Sequence, residues 1–259
     1  INLEPDGSFP NHDPNPLEIE NVHQLSTLVK SDNYDLGMIF DGDADRVMFV
    51  DEDGEFISPD LMIAVLGEYF FKEGGSHRVL QDIRSSRSVA EHLQSLGAEV
   101  FTWKVGRAFA TPELKRINGL FGGELAGHYY FRDFFYSDSG ILAALLVCDV
   151  LAKKKAEGIA VSEFIRQISH YQSSGELNFT VEDKAQAMQE VIHHFKEKEE
   201  PISVMDFDGF RLDYKDYWMN IRPSNTEPYL RFIAEAKSKQ HLDEIVGELN
   251  MILKKFQVR

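Results

Sequence analysis

Cysteine occurs once in this chain, at Cys148, so no internal disulfide can form. That usage fits a reducing compartment, and the expected location is cytoplasmic. Long hydrophobic runs are also missing. The apolar segment 141–152 is too short to span a bilayer and carries Asp149. Its setting suits Cys148 as a packed, unreactive thiol. Positive charge is scarce: 27 Lys and Arg stand against 43 Asp and Glu, a net charge of −16. This deficit argues against nucleic acid or an anionic membrane as the main partner. No signal-peptide pattern opens the chain. No internal repeat is visible.

What is present supports a globular protein with real cores. Of 259 residues, 43% are hydrophobic and 19 are Phe, enough for two domains or more. A Pro-rich stretch with Pro5, Pro10, Pro14 and Pro16 precedes a helix around Val22–Val29. Apolar runs at 36–40 and 46–51 read as strands, and Pro59 is placed to open a helix that reaches about Phe71. Strands at 78–81, 99–103 and 119–121 then alternate with helices at 86–96 and 111–117. That βαβα order argues a mostly parallel α/β domain, closed by a helix over about 138–156. A break falls between Gly158 and Gly175. Beyond it come a strand at 177–181, a helix at 184–196, and adjacent strands at 209–212, 217–221 and 230–236. The last helix is amphipathic, with Leu242, Ile245, Val246, Leu249, Ile252, Leu253 and Phe256 on one stripe.

The most informative segment is Phe40-Asp41-Gly42-Asp43-Ala44-Asp45-Arg46. Carboxylates two residues apart repel each other in a dry site, and a hard divalent cation relieves that repulsion. In a straight strand Asp41 and Asp45 would lie about 13 Å apart, too far to share one ion. Gly42 and Ala44 leave room for the loop to curl. An acidic surface turn explains the pattern poorly between two apolar strands. An EF-hand calcium loop would use Asp41, Asp43, Asp45 and Glu52, but Arg46 stands where that loop needs Gly.

The same string resembles the magnesium loop of the phosphohexomutases, the phosphomannomutase/phosphoglucomutase family. Two further motifs occur in the family's order. Gly122-Gly123-Glu124-Leu125-Ala126-Gly127-His128 is similar to its sugar-binding loop, with Ala126 in place of the usual Ser. Arg222-Pro223-Ser224-Asn225-Thr226-Glu227-Pro228 resembles its phosphate-binding loop, where a guanidinium, two hydroxyls and an amide can all donate to a phosphate. Weaker likenesses are Asp82-Ile83-Arg84-Ser85-Ser86-Arg87, with Arg84 where the family often has Lys, and Trp103-Lys104-Val105-Gly106-Arg107, with Arg107 replacing His. Arg84 stays protonated at neutral pH, so it can stabilise charge but is a poor proton shuttle.

The resemblance implies an isomerase that moves phosphate between O1 and O6 of a hexose through a phosphoserine and a bisphosphorylated sugar. It implies Mg²⁺ on Asp41, Asp43 and Asp45, with catalytic roles for Arg46, Arg84, Lys104 and His128. Glu124 and His128 would bind the sugar, and Arg222, Ser224, Asn225, Thr226 and Arg231 the phosphate. Partners would be hexose phosphate and hexose bisphosphate. The family's phosphoserine segment has no counterpart here, so the expectation is a C-terminal fragment lacking that domain, inactive by itself and partnered by the N-terminal domains of its own enzyme. Three units are expected: 1–52, the end of a second α/β domain; 53–172, a third α/β domain; and 173–259, an α+β domain resembling the TATA-binding-protein fold. The alternatives are a haloacid-dehalogenase-like phosphatase with Asp41 as nucleophile, or a calcium-binding module without catalysis. Neither accounts for the 122–128 and 222–228 motifs.

Overall fold

A computed structural model of the chain describes residues 1–4, 6–71, 77–224 and 227–256. The chain divides into two compact units, one formed by 1–102 with 106–169, the other by 103–105 with 170–259. Among the described residues, no helix is long and apolar enough to cross a membrane.

The first unit opens with α1 (Ile19–Ser31), which buries Val22, Leu25 and Val29. That face packs on an antiparallel sheet of β1 (Leu36–Phe40), β2 (Val47–Asp51) and β3 (Phe56–Ile57). Gly37 permits the contact, since a β carbon there would come within 2.7 Å of both Val50 and Val29. A second sheet follows from α2 (Leu61–Phe70), β4 (Arg78–Asp82), α3 (Arg87–Ser95), β5 (Glu99–Trp103), α4 (Arg107–Arg116), β6 (Phe121–Gly123), β7 (Tyr129–Phe131) and β8 (Ser137–Asp138). Its strand order is β5-β4-β6-β7-β8. Helices α5 (Gly140–Ala156) and α6 (Val161–Ile168) complete the unit.

The α/β layering is the one expected, and the second sheet adds antiparallel strands to its parallel pairing. β4 and β6 run parallel, whereas β6–β7 and β7–β8 are antiparallel. The connections after β6 are too short for a parallel crossover, which needs a dozen or more residues, so the chain folds back as hairpins. β7 and β8 are strands of three and two residues, too short to show a period in sequence. α4 begins at Arg107 rather than 111, so Pro112 lies inside it. α6 occupies part of the segment read as a break.

Several helices start at side-chain caps. Ser86 accepts a hydrogen bond from Ser88 N–H, and Ser139 accepts one from Leu142 N–H. Each such cap contributes about 1 kcal/mol. α2 buries every residue from Leu61 to Gly67, inside a core shared with Phe121, Tyr129, Val147 and Phe164.

The second unit contains β9 (Gln172–Ser173), β10 (Leu177–Phe179), α7 (Lys184–Lys198), β11 (Ser203–Met205), β12 (Phe210–Asp213), β13 (Tyr217–Pro223), β14 (Leu230–Ala236) and α8 (Lys239–Leu253). The strand order is β10-β14-β13-β12-β11, with β9 also on β14. The stripe on α8 buries Leu242, Ile245, Leu249, Ile252 and Leu253 against this sheet and α7. Trp218 is wholly buried, its indole N–H donating to Glu235 at 2.7 Å, with the Arg211 guanidinium stacked 3.8 Å from its ring.

Candidate active site

The three aspartates sit on the connection from β1 to β2. Asp41 holds the turn closed. Its carboxylate accepts Arg46 N–H at 3.1 Å and Arg46 Nε–H at 2.6 Å, and its carbonyl accepts Ala44 N–H at 3.2 Å. Ala44 takes a left-handed φ of 59°. That conformation costs a non-glycine residue about 1 kcal/mol or more, and it provides the curl that a straight strand lacks. One oxygen from each of Asp41, Asp43 and Asp45 lies within 4.8 Å of the others. A single point is then at most roughly 2.8 Å from all three, so a cation bonded at about 2.1 Å needs shifts below an ångström. The residues therefore fit a divalent ion. Burial pushes the Asp41 carboxyl up, but the hydrogen bonds and charge of Arg46 outweigh it and hold Asp41 below its ordinary range. Asp45 is pushed up, first by burial and then by Asp41, Asp43 and Asp138.

Glu52, the last ligand of an EF-hand reading, does not face this loop. Its carboxylate takes the Ser162 hydroxyl at 2.7 Å and Ser162 N–H at 3.1 Å. The segment before Asp41 is strand, not helix. Residues 41–52 therefore do not form an EF-hand loop.

The loop from β6 to β7 carries Glu124 and His128. Glu124 N–H donates to the His128 carbonyl, and Gly127 N–H to the Glu124 carbonyl, which closes a tight turn. Gly127 has a φ of 85°, and a β carbon there would lie 2.6 Å from Met48 Cε. This turn is fastened to the aspartate loop. Val47 N–H donates to the Gly127 carbonyl at 3.2 Å, and Arg46 and His128 form an isolated antiparallel bridge. Glu124 is buried, its Oε1 accepting Gly106 N–H at 3.1 Å and the Tyr130 hydroxyl at 3.0 Å. Burial and the Asp82 charge push its carboxyl up, despite Arg84 and His128.

Arg84 is buried and bound to Asp82, with Nη2 at 2.7 Å from Oδ2. Asp82 also accepts Arg84 N–H at 2.6 Å and Leu125 N–H at 2.8 Å, which ties segment 82–87 to the Glu124 loop. Burial raises the Asp82 carboxyl, but the Arg84 charge and these bonds keep it below the ordinary range. His128 Nδ1 lies 2.8 Å from Asp138 Oδ2 and 3.9 Å from Asp45 Oδ2. Arg107 reaches the same pair, with Nε 3.2 Å from Asp138 and Nη1 3.8 Å from Asp45.

Lys104 belongs to the segment 103–105 that clusters with the second unit. There Val105 N–H donates to Asp208 at 2.8 Å, and Trp103 packs on Phe207 at 5.3 Å between ring centroids. Arg222 and Arg231 face each other across β13 and β14. Arg222 is buried with Nη1 3.7 Å from Asp208, while Arg231 is held by Glu176 at 2.7 Å and by Glu227. Ser224 N–H donates to the Tyr229 carbonyl, and Ser224 Oγ accepts Glu227 N–H at 3.2 Å. Asn225 and Thr226 lie outside the described residues.

The structure thus gathers Asp41, Asp43, Asp45, Arg46, Arg84, Glu124 and His128 within the first unit. It places Lys104, Arg222, Ser224 and Arg231 in the second. Arg46, Arg84, Arg222 and Arg231 each have a carboxylate partner within their own unit. Sequence reasoning gave no role to Asp82, Asp138 or Asp208. Asp82 was visible two residues before Arg84, but nothing near Asp138 or Asp208 signals a long-range partner.

Family models for phosphoglucomutase/phosphomannomutase match the chain in succession: the alpha/beta/alpha domain II over residues 1–54, the alpha/beta/alpha domain III over 58–171, and the C-terminal domain over 176–250. A phosphomannomutase of Methanocaldococcus jannaschii is 34% identical over 255 residues, covering 98% of this chain and 55% of the relative. A phosphomannomutase of Vibrio cholerae is 34% identical over 260 residues, covering 100% of this chain and 55% of the relative. The chain spans about half the length of the curated relatives it matches. A solved phosphoglucomutase/phosphomannomutase family protein from Burkholderia thailandensis superposes with a TM-score of 0.81 at 28% identity, over 96% of this chain and 53% of that one. With three loops in the family's order and successive domain models covering nearly its whole length, the chain belongs to the phosphoglucomutase/phosphomannomutase family.

Proposed function

We propose that this chain supplies the metal, sugar and distal-phosphate loops of a phosphohexomutase acting on a hexose phosphate through a hexose bisphosphate. The observation that carries the reading is the backbone tie between the aspartate loop and the Glu124–His128 loop, through Arg46↔His128 and Val47 N–H to the Gly127 carbonyl. A loop suited to a phosphate-neutralising cation is thereby fixed beside one suited to a polyhydroxylated ring. The working division is 1–52, 53–172 and 173–259, one loop to each.

Asp41, Asp43 and Asp45 hold Mg²⁺, which when bound supplies a Lewis acid for the phosphoryl oxygens. Arg46 and Arg84 stabilise charge on the group in transit, as fixed guanidinium donors do in phosphoryl transfer. Arg84 is held for this by Asp82. Asp138, facing His128 Nδ1, favours the tautomer with the proton on that nitrogen. Nε2 is then the basic nitrogen, available to a sugar hydroxyl. His128 can move a proton where Arg84 cannot. Glu124 orients the sugar, Lys104 contributes a further positive charge, and Arg222, Ser224, Asn225, Thr226 and Arg231 anchor the phosphate that does not react. Because the sugar must reverse between half-reactions, that anchor accepts either end. The nucleophilic phosphoserine is assigned to a part of the enzyme outside this sequence.

The test is an NMR titration of the chain with mannose 1-phosphate and, separately, inorganic phosphate. Glu124→Ala should weaken the sugar phosphate several-fold more than phosphate. Equal loss of both ligands, or shifts confined to residues outside the three loops, would overturn the reading.

A further inference from the structure

The geometry points to a second cation site, made by Asp45, His128 and Asp138, that takes a borderline-soft divalent ion such as Zn²⁺ or Co²⁺ and shares Asp45 with the aspartate loop. One ligand atom from each of the three residues lies within 4.8 Å of the others. A tetrahedral Zn²⁺ with bonds of about 2.05 Å sets its ligands about 3.3 Å apart. The two separations from His128 Nδ1, 2.8 Å to Asp138 and 3.9 Å to Asp45, bracket that value. Side-chain adjustments of roughly half an ångström bring all three onto one ion.

The donor set decides the class of ion. Asp41, Asp43 and Asp45 offer only oxygen, the choice of Mg²⁺ and Ca²⁺. An imidazole nitrogen with two carboxylates suits Zn²⁺ and its neighbours instead. Three protein ligands also leave a fourth tetrahedral position for water or a phosphate oxygen. The neutral imidazole carries one proton, which passes from Nδ1 to Nε2 when the metal bonds Nδ1, so no proton need be released.

The ligands are held by backbone pairing rather than by loops alone. Asp138 lies on β8 opposite Tyr130, and His128 is bridged to Arg46, the residue after Asp45. Such support keeps a site near its productive geometry. A positive group already spans the two carboxylates: the Arg107 guanidinium lies 3.2 Å from Asp138 and 3.8 Å from Asp45. Its side chain is 58% exposed, so it can swing into solvent when a metal enters. Since one carboxylate serves both sites, Zn²⁺ should compete with Mg²⁺. Only that competition rests on the proposed magnesium loop; the Zn²⁺ site itself stands on its own three ligands.

The experiment titrates the chain with Co²⁺, read by d–d absorption of tetrahedral intensity, and then displaces it with Zn²⁺. His128→Asn and Asp138→Asn should each weaken Co²⁺ at least tenfold, while Asp43→Asn should leave it within about twofold. Arg107→Ala should strengthen Co²⁺ several-fold, a gain that a misfolded variant cannot mimic. Co²⁺ binding that survives His128→Asn, or that Asp43→Asn abolishes equally, overturns the proposal, as does Arg107→Ala without gain. Parallel Mg²⁺ titrations should show the reverse pattern, lost in Asp43→Asn and kept in His128→Asn. Failure of the Mg²⁺ arm alone counts against the magnesium loop and leaves the Co²⁺ result standing.

Discussion

A β carbon on Gly140 would lie 2.8 Å from the carbonyl oxygen of Ala44, and within 2.9 Å of the Arg46 carbonyl. The first residue of α5 therefore presses directly on the backbone of the aspartate loop, at the residue whose left-handed φ gives that loop its curl. Both neighbours are backbone, so neither can rotate away. Gly140→Ala should destabilise the chain by about 1–3 kcal/mol, the usual cost of overpacking. It should also weaken Mg²⁺, because relief comes from displacing residues 44–46. Thermal unfolding with and without Mg²⁺ checks both. A melting temperature and metal response equal to the parent's would show that the contact carries no constraint.

Glu68, His92 and Lys154 tie α2, α3 and α5 together, with His92 3.0 Å and Lys154 3.4 Å from the Glu68 carboxylate. The hydrogen bond from His92 lowers the Glu68 carboxyl; burial opposes it, and Lys154 adds to the lowering. A carboxyl whose folded pKa lies below its unfolded value, about 4.3, stabilises the fold above that pH. The stabilisation is lost as pH falls through the folded pKa. Glu68→Gln should therefore lower the melting temperature by about 2 °C at pH 7, for roughly 0.5–1 kcal/mol. That difference should vanish well below pH 4. A gap that persists or widens in acid would contradict the assignment.

Much of this architecture was legible because it is periodic. The apolar runs around Asp41 and the stripe on α8 announce their elements, and two of the three loops, at 41–46 and 222–228, lie beside such runs. The residues that hold the loops were less legible. Asp138 neighbours His128 only because β8 returns alongside β7, and two- or three-residue strands leave no period to read. The arginines show the same limit. Arg46, Arg84, Arg222 and Arg231 each stand against an acid, and for two of them an acid partner is distant in sequence. For Asp41 and Arg46, and for Asp82 and Arg84, the pairing is local and could have been anticipated.

Mg²⁺ should bind this chain weakly, at millimolar rather than micromolar concentration, about −4 kcal/mol. Of the three carboxylates, Asp41 is already neutralised by Arg46, whose Nε lies 2.6 Å away. An octahedral ion can keep several waters and still be held loosely by the rest. Calorimetry is the check, with Asp43→Asn expected to abolish the response. A dissociation constant near 10 μM or tighter would mean that the loop is more complete than its geometry indicates.

The 222–231 region should bind phosphate more tightly when one of its acids is removed. Arg231 is occupied by Glu176 and Glu227, so a phosphate must displace a carboxylate to use that guanidinium. Glu227→Gln removes one competitor and keeps a hydrogen-bonding side chain of the same length. A charge-assisted bond is worth roughly 1.5–3 kcal/mol, and part of that should appear as a several-fold gain in affinity for inorganic phosphate. Arg222→Lys should act in the opposite direction, because an ammonium cannot reproduce the planar two-pronged donor. NMR titration of both variants against phosphate, at one fixed ionic strength, distinguishes the outcomes. If Glu227→Gln brings no gain and Arg222→Lys no loss, the assignment of residues 222–228 to phosphate fails, and the anchor must be sought elsewhere.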